Sequence, residues 1–107
     1  MDVYKKQAEI CAALANPVRM QVLELLENGE STATDLQKVM HLSKANLSQH
    51  LSILKRNGMI HVRSKGLYRY LSLAPQVRQA RRIIRQILER QLVGHVDMAK
   101  NLGGKHG

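Results

Sequence analysis

Apolar residues recur every three or four positions through most of this chain and every second position in one short stretch, a pattern that predicts helices around a single small β-hairpin. Residues 2–15 form a first helix with two apolar stripes, Val3, Ile10 and Leu14 on one and Tyr4, Ala8, Cys11 and Ala15 on the other. A surface helix needs only one such stripe, so the second predicts a partner subunit. Asn16-Pro17 closes this helix and opens the next, with Asn16 as N-cap and Pro17 at the first helical position. That helix runs to about Asn28 before Gly29 stops it, and Val18, Val22, Leu25 and Leu26 are spaced to fill a core. Glu30-Ser31 is read as a short extended piece.

From Thr32 to Gly58 the pattern gives two short helices joined by a tight corner. Thr32 with Asp35 makes a capping-box-like start, and the first helix runs to about Met40. His41-Leu42 forms the corner, Ser43 is the N-cap of the second helix, and Gly58 ends it by taking the left-handed backbone. At about 100° per residue, Leu47, Leu51 and Leu54 fall in one narrow stripe, and the opposite face carries Ala45, Gln49, Ser52 and Arg56. Such a helix packs on one side and has reading chemistry on the other. Gln pairs bidentately with adenine, Ser donates or accepts, Ala touches a thymine methyl, and Lys44, Lys55 and Arg56 can neutralise phosphates.

After Gly58 the period drops to two. Ile60 and Val62 alternate with His61 and Arg63, the chain turns at Lys65-Gly66, and Leu67, Leu71 and Leu73 share one side of the return strand. Alternation leaves open whether Tyr68 and Tyr70 face outward or close the core. A basic hairpin following a reading helix is a winged helix-turn-helix layout, with Arg63, Lys65 and Arg69 placed to meet phosphates or a minor groove. Pro75 starts a last helix reaching about Val93, with a stripe of Val77, Ala80, Ile84, Ile87 and Leu88 widened by Ile83 and Leu92. Arg78, Arg81, Arg82, Arg85 and Arg90 coat its other side, solvated or paired with the few acids. No later element covers the stripe, which predicts a homodimer through the first and last helices. The fold class is therefore mainly α with a small β-hairpin, a winged helix-turn-helix. Residues 1–93 form the DNA-binding and dimerisation domain, and 94–107 form a Gly-rich tail, partly disordered.

Charge sharpens the choice of partner. Seventeen Lys and Arg against eight Asp and Glu leave a formal charge of +9 on 107 residues, which favours a polyanion. Single-strand readers stack bases on exposed rings, and this chain has no Trp, no Phe and three Tyr. Double-stranded DNA is the expected partner. No apolar run approaches the ~18 residues of a membrane span, and the N-terminal stretch lacks a signal-peptide core. The expectation is a cytoplasmic protein without a membrane partner. One cysteine, Cys11, excludes an intramolecular disulfide and a thiolate-rich metal site within one chain. No Ser/His/Asp set, paired carboxylates or phosphate-cradling glycine loop occurs at a meaningful spacing, so the chain is not read as an enzyme and no cofactor is expected.

Taken together, ALANPVRMQVLELL, TATDLQKVMHLSKANLSQHLSILKRNGMI and the hairpin ending YRYLSL resemble the ArsR/SmtB family of bacterial winged-helix repressors over roughly positions 5 to 92. The resemblance implies a homodimer on a palindromic operator, with half-sites about 34 Å apart. It also implies that an effector weakens DNA affinity, but it names no effector here. By position, Lys44, Ala45, Asn46, Ser48, Gln49, Ser52 and Arg56 match the family's reading helix. His50 matches too, at the border of the apolar stripe, as a structural or phosphate-contacting residue or a base reader. Arg19, within NPVR, looks like the family's common arginine in a structural role.

Departures from the family bear on control. Where metal-sensing members place Cys-x-Cys, this chain has Ser31, Thr32, Ala33 and Thr34, so that soft-metal site is absent. The paired-ligand site of the last helix falls near Pro75, Val77, Leu88 and Gln91, which do not make a four-ligand zinc site. His95, Asp97 and His106 remain as candidate ligands in the tail, at a spacing that matches no metal pattern. Cys11 is either a packing residue or, if two copies meet at the dimer axis, the basis of a redox response. A competing reading uses the same winged helix as a protein-protein interaction module, in which Gln49 and Ser52 would tolerate substitution.

Overall fold

Helices begin where a side chain takes up an otherwise unpaired N–H group. The computed structural model describes residues 2–102, with side chains through Gly94. Its elements are α1 (Val3–Leu14), α2 (Pro17–Glu27), β1 (Ser31–Thr32), α3 (Ala33–Met40), α4 (Lys44–Arg56), β2 (Ile60–Lys65), β3 (Tyr68–Leu73) and α5 (Pro75–Leu102). Asp2 accepts from Tyr4 N–H at 3.0 Å to cap α1, and Asn16 accepts from Arg19 N–H at 3.0 Å to cap α2. Thr32 accepts from Asp35 N–H and Ser43 from Asn46 N–H, each at 3.1 Å, to start α3 and α4. The ends are equally specific. Gly58, at φ +72°, closes α4, with Met59 N–H donating back to the Leu54 carbonyl at 2.9 Å.

α3 ends differently, because its left-handed residue is His41, at φ 55°. Leu42 N–H reaches the Gln37 carbonyl at 3.2 Å around that corner. A Cβ-bearing residue in this conformation costs roughly 1–2 kcal/mol. His41→Gly is therefore expected to stabilise the protein by about 1 kcal/mol, read as a raised urea midpoint at unchanged slope. A lowered midpoint would mean that the imidazole contributes more than its backbone costs.

The chain divides into two units, one ending at Pro75 and one beginning at Gln76. In the first, Val22, Leu23 and Leu26 of α2, Leu36 of α3, Leu47, Leu51 and Leu54 of α4, Met59, Ile60, Leu71 and Leu73 form the core. The buried side of α2 is turned from the expected one. Leu23 is fully buried, whereas Val18 and Leu25 are half-buried at its edge. The hairpin is part of a three-stranded antiparallel sheet in the order β1-β3-β2, with Ser31 opposite Leu71 and Arg63 opposite Tyr70. Lys65 pairs with Tyr68, so the turn is Gly66-Leu67, one residue later than expected. Gly66 at φ +61° supplies the left-handed first position of a two-residue turn. Leu67, expected on the strand beside Leu71 and Leu73, instead sits at the apex and is 98% exposed. Tyr70 is half-buried and Tyr68 exposed.

Along α1 the residues of both apolar stripes are exposed, except Leu14, which is half-buried. Ala13 is the buried residue of α1, while Val3 and Tyr4 are 69% and 82% exposed. In the second unit α5 continues past Val93 to Leu102, so the start of the expected tail is helical. A single helical glycine, Gly94, costs only about 1 kcal/mol, which the neighbouring residues offset. Ile83, Ile87, Leu88, Leu92 and Val93 are each more than half exposed. Arg81, expected to be solvated or paired with an acid, is buried and has a partner within the chain. No helix among the described residues is long and apolar enough to cross a membrane.

Candidate nucleic-acid interface

The local chemistry of α3 and α4 decides which side chains of α4 are free. Ser43 and the His41 corner fix where α4 starts, and Leu47, Leu51 and Leu54, at 2%, 3% and 0% exposure, seat its back in the core. That leaves Lys44, Ala45, Asn46, Ser48, Gln49, Ser52 and Arg56 all exposed, as the sequence places them. Ser48, Gln49, Ser52, Ile53 and Arg56 line one shallow depression of about 430 Å³. Lys55 and Arg56 lie in the last turn, where cations complement the helix dipole. The helix thus presents amide, hydroxyl and methyl groups along its front with basic groups at both ends. No other side chain of the described residues forms an ion pair with Lys44, Arg56, Lys65 or Arg69.

The wing separates its three cations. Strand alternation and the register put Arg63 and Lys65 on the sheet side of Tyr68 and Tyr70, whereas Arg69, opposite Ser64, lies on the other side. Arg63 has two partners within the chain. Its guanidinium donates to Glu30 at 2.8 Å and lies 4.7 Å from the centre of the Tyr70 ring. Cross-strand pairing explains the ring contact, and the ion pair is half-exposed and worth at most about 1 kcal/mol. Lys65 and Arg69 are exposed.

One connection has no signature in the sequence. Arg19 of α2 donates from Nε to the Ala13 carbonyl at 2.6 Å, from one terminal nitrogen to the Ala12 carbonyl at 3.1 Å, and from the other to His50 Nδ1 at 3.3 Å. Three helices meet at this guanidinium. Arg19 is structural, in keeping with its sequence reading, and His50 is half-buried. Burial, and then the neighbouring Arg19 charge, hold the His50 imidazole below its usual pKa. The partners are thirty-one positions apart, beyond any helical or strand period.

Other candidates remain isolated. Cys11 is exposed on α1 with its thiol free. Among the described residues no three His, Cys, Asp or Glu side chains gather where a metal ion could be held. Pro75, Val77, Leu88 and Gln91 follow one another along α5. The side chains of His95, Asp97 and His106 lie outside the described residues.

This geometry agrees with what the chain is similar to. A family described as "Helix-turn-helix domain" matches residues 14–63, from the end of α1 into the wing. The HTH-type transcriptional regulator Rv0081 of Mycobacterium tuberculosis is 34% identical over 102 residues, covering 94% of this chain and 90% of that protein. Its crystal structure superposes with a TM-score of 0.83 at 33% identity, covering 90% of this chain and 98% of that one. The transcriptional repressor SdpR of Bacillus subtilis is 39% identical over 67 residues, 63% of this chain and 74% of the repressor. A solution structure from Mycobacterium bovis, Mb0332, is described as a homodimeric winged helix-turn-helix DNA-binding domain of a candidate ArsR-family regulator. It shares 25% identity at a TM-score of 0.73, covering 87% of this chain and 86% of that one.

Proposed function

Because this chain belongs to the ArsR/SmtB family of winged helix-turn-helix transcriptional regulators, and so is a DNA-binding regulator and not an enzyme, we propose that it is a dimeric repressor that reads a palindromic operator with α4. The observation that carries this reading is the front of α4: seven exposed polar, small or basic residues on a helix whose back is three buried leucines. Gln49, Ser48 and Ser52 read base edges in the major groove, Ala45 meets a thymine methyl, Asn46 reads or positions, and Lys44 and Arg56 hold flanking phosphates. Lys65 and Arg69 of the wing make sequence-independent contacts beside the groove. Arg63 acts chiefly through Glu30 and Tyr70, bracing the wing.

Dimerisation is supported by two apolar surfaces left open within one chain, on α1 and on α5, and by the homodimeric state of Mb0332. A two-fold operator would take the two α4 helices of such a dimer about one helical turn of DNA apart. Repression is supported by the description of SdpR. The protein acts in the cytoplasm and carries neither of the family's usual metal sites, so its control rests on other residues; Cys11 oxidation is one route, testable by mobility on a non-reducing gel.

Selection from a random duplex pool, followed by titration of the winner and of scrambled DNA at fixed salt, tests this reading. Gln49→Ala is expected to shrink the gap between the two duplexes by ~1–3 kcal/mol. Lys65→Ala is expected to weaken both alike and to lower the salt dependence by about one counterion. Equal affinity for selected and scrambled DNA in the unaltered protein would refute sequence-specific repression.

A further inference from the structure

The junction of Arg19 with α1 and α4 has more in it than packing. Arg19 starts from a fixed backbone, since its own N–H is held by the Asn16 cap at 3.0 Å. Its side chain then takes two carbonyls from the last turn of α1, those of Ala13 and of Ala12, the latter shared with the Ala15 N–H, at the negative end of the helix dipole. The remaining terminal nitrogen reaches His50 Nδ1 at 3.3 Å, in the middle of the reading helix. A guanidinium only donates, so Nδ1 must accept, and an imidazole that accepts at Nδ1 is neutral with its proton on Nε2. The contact therefore exists in one protonation state and one tautomer.

We propose that Arg19 is a positioning residue for DNA binding, holding α4 against the end of α1 through a neutral His50, and that protonation of His50 releases α4 and weakens DNA affinity. The proposal rests on the DNA-binding reading given above. A protonated ring would set an Nδ1–H against a guanidinium N–H, donor against donor and cation against cation. A groove of about 430 Å³ between α1, α2 and α4 opens onto this junction, lined among others by Lys6, Glu9, Arg19 and Arg56. Arg19 lines that groove and His50 is half-exposed, so solvent reaches both partners.

The charged neighbours fix the sign. Lys6 and Glu9 of α1 pair with each other at 3.7 Å, and neither they nor Asp35 and Lys38 of α3 nor His61 of β2 contribute to the shift of His50, whose causes are burial and Arg19. Folding lowers the affinity of the ring for protons. The hold is thus complete above the ordinary histidine pKa near 6.5 and is lost as pH falls through the lower value of the folded protein.

The test compares wild type with His50→Gln, whose amide oxygen can accept from Arg19 but does not titrate, on a duplex selected by the wild-type protein. Fluorescence anisotropy at constant ionic strength from about pH 7.5 to about pH 5 is expected to show wild-type affinity falling about tenfold relative to the pH profile of His50→Gln. Superimposable profiles would overturn the proposal. Long-range proton–nitrogen NMR of the free wild-type protein reads the same contact without DNA, with the His50 signal identified by its loss in the variant. It is expected to show the Nε2–H tautomer at neutral pH, giving way to a mixture in Arg19→Lys; a mixture already present in wild type would also overturn it. If wild type fails to prefer the selected duplex at neutral pH, the DNA-binding reading itself fails, an outcome distinct from either of these.

Discussion

Ile87→Asp is expected to turn the protein into a folded monomer and to reduce operator affinity by at least a hundredfold. Ile87 is 55% exposed on α5, beside Ile83, Leu88 and Leu92 at 54%, 51% and 54%, so the substitution removes little packing inside one chain. In a two-fold interface every residue acts twice, so one change deletes two buried isoleucines and introduces two carboxylates. Losing the isoleucine burial costs ~1.5–3 kcal/mol per copy, and placing a carboxylate there adds a desolvation cost of several kcal/mol. A loss on the order of 5 kcal/mol weakens dimerisation by several thousandfold. Sedimentation equilibrium at micromolar protein reads the mass, circular dichroism the fold, and a mobility shift the DNA affinity. A variant that stayed dimeric would remove α5 from the interface.

Leu54→Ala is expected to destabilise the fold by ~2–5 kcal/mol, the range for truncating a fully buried leucine. Leu54 has no exposed surface, and its carbonyl accepts the Met59 N–H that closes α4 at 2.9 Å. Alanine would leave a void between the reading helix and the sheet. Urea unfolding should be run in the Ile87→Asp background, because the stability of a dimer depends on its concentration. A midpoint shift worth less than ~1 kcal/mol would show that neighbouring side chains collapse into the space.

The parts of the fold set by neighbouring residues were legible in the sequence. Asn16-Pro17, Ser43 and Gly58 mark element ends because each satisfies or spares a specific backbone group nearby, and the structure uses all three. The same holds for α4, where a single period sorts Leu47, Leu51 and Leu54 from Gln49 and Ser52. What sequence reasoning missed depends on distance along the chain. Arg19 with His50, and Glu30 with Arg63, are thirty-one and thirty-three positions apart, and no periodicity connects them. The position of Arg19 in a family motif gave the single hint. Leu67 was misplaced because a two-residue turn can centre on Lys65-Gly66 or on Gly66-Leu67. Only the pairing of Lys65 with Tyr68 distinguishes them. The orientation of α2 was off because Leu23 extends the apolar stripe on the side opposite Val18 and Leu25, and the core takes that side.

The order β1-β3-β2 carries one more implication. β1 runs straight into α3 and is itself bonded to β3, so the wing is riveted to the doorway of the helix pair rather than hinged from it. The side chains proposed to read the groove and those proposed to grip its flanks would then form a gauge of set width. An operator with one base pair inserted between those two zones could be accommodated only by distorting the duplex, and the penalty would scale with the stiffness of the inserted step.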